Sequence, residues 1–173
     1  KYSFYDIKGH SFFPEKHGNG LLSYSNSNFF NLCINMLNPG LNFQVGDVKR
    51  VPVPNQAKIS ESSYLEEKCV SLSKTDWDSY ETSWDFTNLP LLNPDYRQPT
   101  LKAIYQKLRA HWREMTLEMQ RLEQENNRIF IEAYGLQDEL TSEVPIEEIT
   151  LTCNPAYSVG TGKSDEERGK ALL

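Results

Sequence analysis

The stretch "LRAHWREMTLEMQRLEQENNRIFIEAYG", residues 108–135, decides how this chain folds. Leu108, Trp112, Met115, Met119, Leu122, Asn126 and Ile129 recur at alternating spacings of four and three residues. Such a repeat, about 3.5 residues long, is the seam of a coiled coil, with an Asn at one seam position. Carried back to Thr100 and forward to Tyr134, it predicts a helix of some 35 residues and roughly 50 Å, closed by Gly135.

Upstream of this helix, Pro90, Pro94 and Pro99 mark a crossover preceded by the Trp- and acid-rich "DWDSYETSWDF". Before that, Ile59, Leu65, Cys69 and Leu72 give residues 58–74 an amphipathic helical pattern. A helical hairpin follows for residues 57–135. After Gly135 the chain, residues 136–173, reads as short segments, among them a strand "EITLTC", and a polar tail.

The first third has another rhythm. Aromatic and polar residues alternate through 1–17, as in a strand, a turn at Gly9 and a second strand. "HGNG" is a turn, and Leu21, Leu22, Phe29, Phe30, Cys33 and Leu37 fall near helical spacing, stopped by Asn38-Pro39-Gly40. Phe43, Val45, Val48, Val51 and Val53 read as a strand broken at Gly46, with Pro52 and Pro54 placing its end at a sheet edge. The expected fold class is therefore α+β. A small mixed α/β recognition subdomain, residues 1–56, precedes a mostly helical region.

Charge divides the chain in the same way. The net is −6, yet residues 1–60 carry six Lys or Arg against three acids, and 61–173 carry twelve against twenty-one. A polyanion would sit on the N-terminal third. An apolar content of 38% can fill a core, and a mean hydropathy of −0.61 suits a wet, partly elongated molecule. No stretch reaches the ~18 apolar residues of a membrane span. Three scattered cysteines form neither a disulfide framework nor a zinc knuckle, which fits a cytoplasmic location. The start at Lys1, without Met or signal peptide, suggests a piece of something longer.

Three motifs carry less than they promise. "NPAYSVGTGKS", residues 154–164, ends like a P-loop, but the glycine that GxxxxGK[ST] needs is Tyr157. Its first four residues imitate the Asn-Pro-Pro-Tyr loop that holds a flipped adenine, with Ala156 in place of the second proline. No Gly-rich S-adenosylmethionine loop accompanies it, and a turn explains it better. Glu66-Glu67-Lys68 with Asp47 imitates a metal-dependent nuclease, but a solvated helix face explains it more simply. No metal-ligand spacing and no nucleophile arrangement stand out, so the chain alone is read as non-catalytic, with no cofactor of its own.

"NFQVGDVKRVPVPN" is different. Asn42 and Gln44 carry carboxamides of the kind that read adenine edges, and Lys49 and Arg50, with Lys8 in the same basic third, carry charges that hold phosphates. An ordinary sheet edge with solvated charges stands beside this DNA-binding reading as its plain alternative.

Longer strings then point to a family. "LLSYSNSNFFNLCINMLNPGLNFQVGDVKRVPVP", residues 21–54, resembles the end of the target-recognition domain of restriction-modification methyltransferases. "KTDWDSYETSWDF", "TLEMQRLEQENNRIF" and "IFIEAYGLQDELTSEVPIEEITLTCNPAY" resemble the adenine-specific DNA methyltransferases of BREX phage-defence systems, the PglX family. The resemblance covers nearly the whole chain. It implies a C-terminal target-recognition and spacer fragment of an enzyme that marks host DNA at adenine N6. The S-adenosylmethionine loop and the catalytic Asn-Pro-Pro-Tyr would lie upstream, and Asn154–Tyr157 matches a non-catalytic family position. Implied partners are double-stranded DNA, the methyltransferase domain of the same chain and other defence-system proteins, with no membrane. The alternative is a module that docks other defence components through its acidic helical half.

Overall fold

The computed structural model describes residues 20–40 and 44–158. The strands expected within 1–17, Lys8, Asn42 and the polar tail lie outside these residues. Among the described residues six α-helices run in order: α1 Leu21–Ser25, α2 Asn28–Leu37, α3 Val45–Val48, α4 Gln56–Trp77, α5 Leu101–Tyr134 and α6 Pro155–Ser158. Short 3-10 turns at Pro90–Leu92, Pro94–Tyr96 and Ile146–Glu148 complete the regular structure. Among the described residues there is no strand, which corrects the α+β expectation and its mixed recognition subdomain.

The reasons are local. Val45, Val48 and Val51 are three residues apart, a spacing that suits a helical turn as well as a bent strand. Val51 is buried and Val48 half-buried in one core, while Val45 and Val53 stay exposed. Asp47 settles the choice, because its carboxylate accepts the Gln44 N–H at 3.0 Å and the Asn38 side-chain amide at 2.9 Å. A free helix end is thereby satisfied. In "EITLTC", Ile149 and Leu151 are buried in alternation as expected, but no neighbouring strand receives the backbone. The amides of Thr152 and Cys153 instead donate to Asp76, at 2.7 and 2.9 Å.

The chain divides into two compact units, and α4 and α5 each contribute to both. The first comprises the chain through Glu67 together with Gln124–Glu143. Its core is aromatic: Tyr24, Phe29 and Phe130 with Ile34 and Val51, and Tyr134 stacked on Phe29 at 3.7 Å. α1 begins at Gly20, whose φ of 87° is left-handed and whose amide donates to Glu66 of α4 at 2.8 Å. α2 begins at Ser27, which accepts from the Phe30 amide. Two neighbouring asparagines of α5 tie these short helices down. Asn126 accepts from the Ser23 hydroxyl and donates to the Ser23 carbonyl at 2.8 Å, and Asn127 accepts from the Asn28 amide at 2.9 Å. The seam asparagine thus grips α1, a use that its spacing alone does not disclose.

The second unit comprises Lys68–Glu123 and the chain from Val144. Met115 and Met119 of α5 pack against Val144, Ile149 and Leu151, with Cys69 and Leu72 of α4 and Trp112 alongside. Here the seam faces a core of thioethers and aliphatic groups, which fill irregular space readily. α5 ends in the first unit at Gly135, φ 68°, where the Leu136 amide reaches back to the Ile131 carbonyl at 3.1 Å. That is the Schellman bond expected of a left-handed C′ glycine.

Candidate nucleic-acid interface

α3 and its flanks carry three of the five residues singled out from sequence. Gln44 is the residue before the helix, Lys49 caps its C-terminus and Arg50 follows; all three are exposed. Lys8 and Asn42 lie outside the described residues. The turn that displays the three is fixed from beneath. Val48 and Val51 enter the aromatic core, and the next carbonyl, that of Pro52, accepts both the Tyr24 and the Tyr134 hydroxyls at 2.6 Å. Burial raises the Tyr24 phenol far above its ordinary range, so it remains a donor. Exposed polar side chains on a turn so held present themselves at little conformational cost.

The local electrostatics are mixed. Asp47 sits between Gln44 and Lys49, and its carboxyl is held below the usual range, first by the Asn38 amide and then by the Gln44 N–H. It stays ionised and leaves residues 44–50 with two cations against one anion. Gly46 lies within the helix, and open space surrounds the position a Cβ would take, so no close approach demands a glycine there.

The imitation methyltransferase loop has a structural employment. Asn154 is buried, and its side-chain amide donates to the Ile146 and Ile149 carbonyls at 2.8 and 2.9 Å while its oxygen accepts from the Ala156 amide at 3.1 Å. Its carboxamide is consumed by its own backbone and is not free to hold a base. Burial acts on the cysteines, raising all three thiols. All three are free thiols, and burial first, with nearby acids second, pushes Cys69 up to about 11 and Cys153 up to about 12. Thiols in that range present no thiolate nucleophile near neutrality. Among the described residues no group of three or more His, Cys, Asp or Glu could hold a metal ion. No helix among them is long and apolar enough to cross a membrane.

One cationic feature escaped the reading by thirds. Lys102, Arg109 and Arg113 lie on one face of α5, seven and four residues apart, with Gln106 between them, and all four are exposed. Summing charge over residues 61–173 hides them among acids located elsewhere. Plotting the same residues on a helical wheel brings them out.

No protein-family model matches the chain. It is 34% identical over 152 residues to an adenine-specific methyltransferase PglX of Lacticaseibacillus casei, which covers 85% of this chain and 13% of the relative. It is 28% identical over 146 residues to an adenine-specific methyltransferase BrxX of Escherichia coli, covering 84% of this chain and 12% of that relative. The chain therefore spans only a small part of the curated relatives it matches.

Proposed function

We propose that this chain, homologous to one segment of the PglX-type adenine-specific methyltransferases, is a non-catalytic DNA-contacting and spacer part of a larger adenine-N6 DNA methyltransferase in phage defence. One observation carries the reading: the pinned turn that displays Gln44, Lys49 and Arg50 to solvent. A glutamine carboxamide matches the donor–acceptor pair on an adenine edge, and Lys and Arg take phosphates or guanine. S-adenosylmethionine and the transfer chemistry belong, in this proposal, to another domain of the parent enzyme. The occupied Asn154 carboxamide supports that division.

The test uses the full-length parent with Gln44→Ala and Lys49→Ala, measured on target and scrambled duplexes at two salt concentrations. Lys49→Ala should weaken binding to every sequence alike. Gln44→Ala should relax discrimination at one base pair by about 1–3 kcal/mol. Wild-type affinity and selectivity in both would remove the reading.

A second reading has its own observation. Trp84 is 94% exposed in the acid-rich segment between α4 and the first 3-10 turn. Large exposed aromatics anchor protein interfaces, and this one suits docking to another defence component or to the parent's own catalytic domain. Trp84→Ala would then weaken that association and leave duplex affinity unchanged.

A further inference from the structure

We infer that the Lys102–Arg109–Arg113 face of α5 is a sequence-independent seat for the phosphate backbone of duplex DNA, separate from the α3 turn. The inference rests on the proposed DNA-binding role and extends it to a second surface.

Four other cations of α4 and α5 are spent on acids. Lys58 pairs with Glu61, Lys74 with Asp78 and Asp85, Arg121 with Glu118, and Arg128 with both Glu125 and Glu132. In α5 beyond Leu117, each arginine has a glutamate three or four residues away. The first thirteen residues of α5 break this habit. Lys102, Arg109 and Arg113 make no ion pair among the described residues, and no acid lies three or four positions from any of them. Lys107, on another side of the helix, is spent on the Asp95 carbonyl at 2.7 Å.

Two local rules are broken as well. Arg109 and Arg113 are like charges at i and i+4, an arrangement that destabilises a helix. Lys102 lies in the first turn, where the helix dipole already presents its positive end. A helix that elsewhere neutralises its arginines so consistently has a reason to leave this face bare, and such departures concentrate at functional sites. The partner must be an extended anion. From Lys102 to Arg113 the helix rises ~16 Å, and a duplex of that length carries roughly ten phosphates. Gln106 between the cations adds an uncharged donor for the same oxygens.

The 173-residue chain itself is the test material, with two triple variants. One replaces Lys102, Arg109 and Arg113 by Gln, and the other replaces them by Glu. The probes are a duplex of arbitrary sequence and, separately, poly-glutamate, titrated over a salt series. The Gln variant should lose duplex affinity about tenfold or more at low salt, with the log–log salt slope shallower by about 3. The Glu variant should lose more. Thermal melts should show the Gln variant folded and at or slightly above the wild-type transition, since its repulsion is relieved. Duplex binding and salt slope unchanged in both variants would overturn the inference and leave the α3 reading intact. Loss of affinity here with wild-type affinity and selectivity in the Gln44 and Lys49 variants would do the reverse. A wild-type chain that binds poly-glutamate but no duplex overturns it in favour of an acidic protein partner.

Discussion

Both units use the same device on α4 and surround it differently. In the first, the Glu66 carboxylate accepts two backbone amides, Gly20 at 2.8 Å and Ser23 at 3.2 Å. In the second, the Asp76 carboxylate accepts those of Thr152 and Cys153. A carboxylate on two N–H groups is a strong, charge-assisted clasp. Glu66 is half-buried, whereas Asp76 is only 5% exposed and lies beside the Cys153 thiol. The lesson is that depth of burial, more than the contact itself, sets how much such a clasp is worth.

The largest expected effect is at the first clasp, and it comes from the glycine. A Cβ on Gly20 would lie 2.0 Å from the Ile59 carbonyl oxygen, in a backbone conformation that side chains rarely adopt. Gly20→Ala should cost about 3 kcal/mol or more, read by urea denaturation in far-UV circular dichroism. Next comes Asp76→Ala, which strands two amides and should cost about 2–3 kcal/mol. All three tryptophans, Trp77, Trp84 and Trp112, belong to the second unit, so tryptophan emission follows this loss. Glu66→Ala should cost less, about 1 kcal/mol, because the Glu66 carboxylate is half-exposed and already keeps part of its hydration. Equal losses at Glu66 and Asp76 would dissolve the contrast.

Titration sharpens it further. Burial first, and the charge of Glu148 second, push the Glu123 carboxyl of the second unit from 4.5 up to about 7. Between these values the folded chain holds more protons than the unfolded one, so this group's contribution makes stability fall as pH rises from about 4.5 to about 7. Glu123→Gln should flatten that part of the profile, seen as a shrinking difference in melting temperature between wild type and variant as pH is lowered. The smallest change should come from Gly46→Ala, expected to stabilise the first unit by about 0.5–1 kcal/mol, since the helix there leaves room for a methyl group. Differential scanning calorimetry resolves a shift of that size.

How much of this was legible in the sequence varies with the reach of the deciding contact. α5 could be read because its seam repeats over many turns and Gly135 ends it. α3 could not, because its valines fit a strand or a turn equally, and the choice rests on Asp47 together with tyrosines brought from α1 and from the end of α5. The alternation of Ile149 and Leu151 was legible, but their backbone partner is a carboxylate on α4, which no local pattern announces. At the candidate interface, the exposure of Gln44, Lys49 and Arg50 agrees with their polarity. The α5 cations needed a reading by helical face, since a sum over sequence blurs what geometry separates.

Asn154 has a consequence for anyone who searches genomes by short words. Asn-Pro-Ala-Tyr differs by one residue from a motif that marks amino-methyltransferases, and a tolerant pattern would count it as an active centre. Here the amide is a rivet: both its hydrogens and its oxygen hold the 146–156 loop closed. The question such a pattern leaves out is whether the asparagine has a hydrogen or a lone pair left to offer. Replacing it with aspartate would swap two donated hydrogens for negative charge facing two carbonyls, and the loop, rather than any turnover, would be the thing that fails.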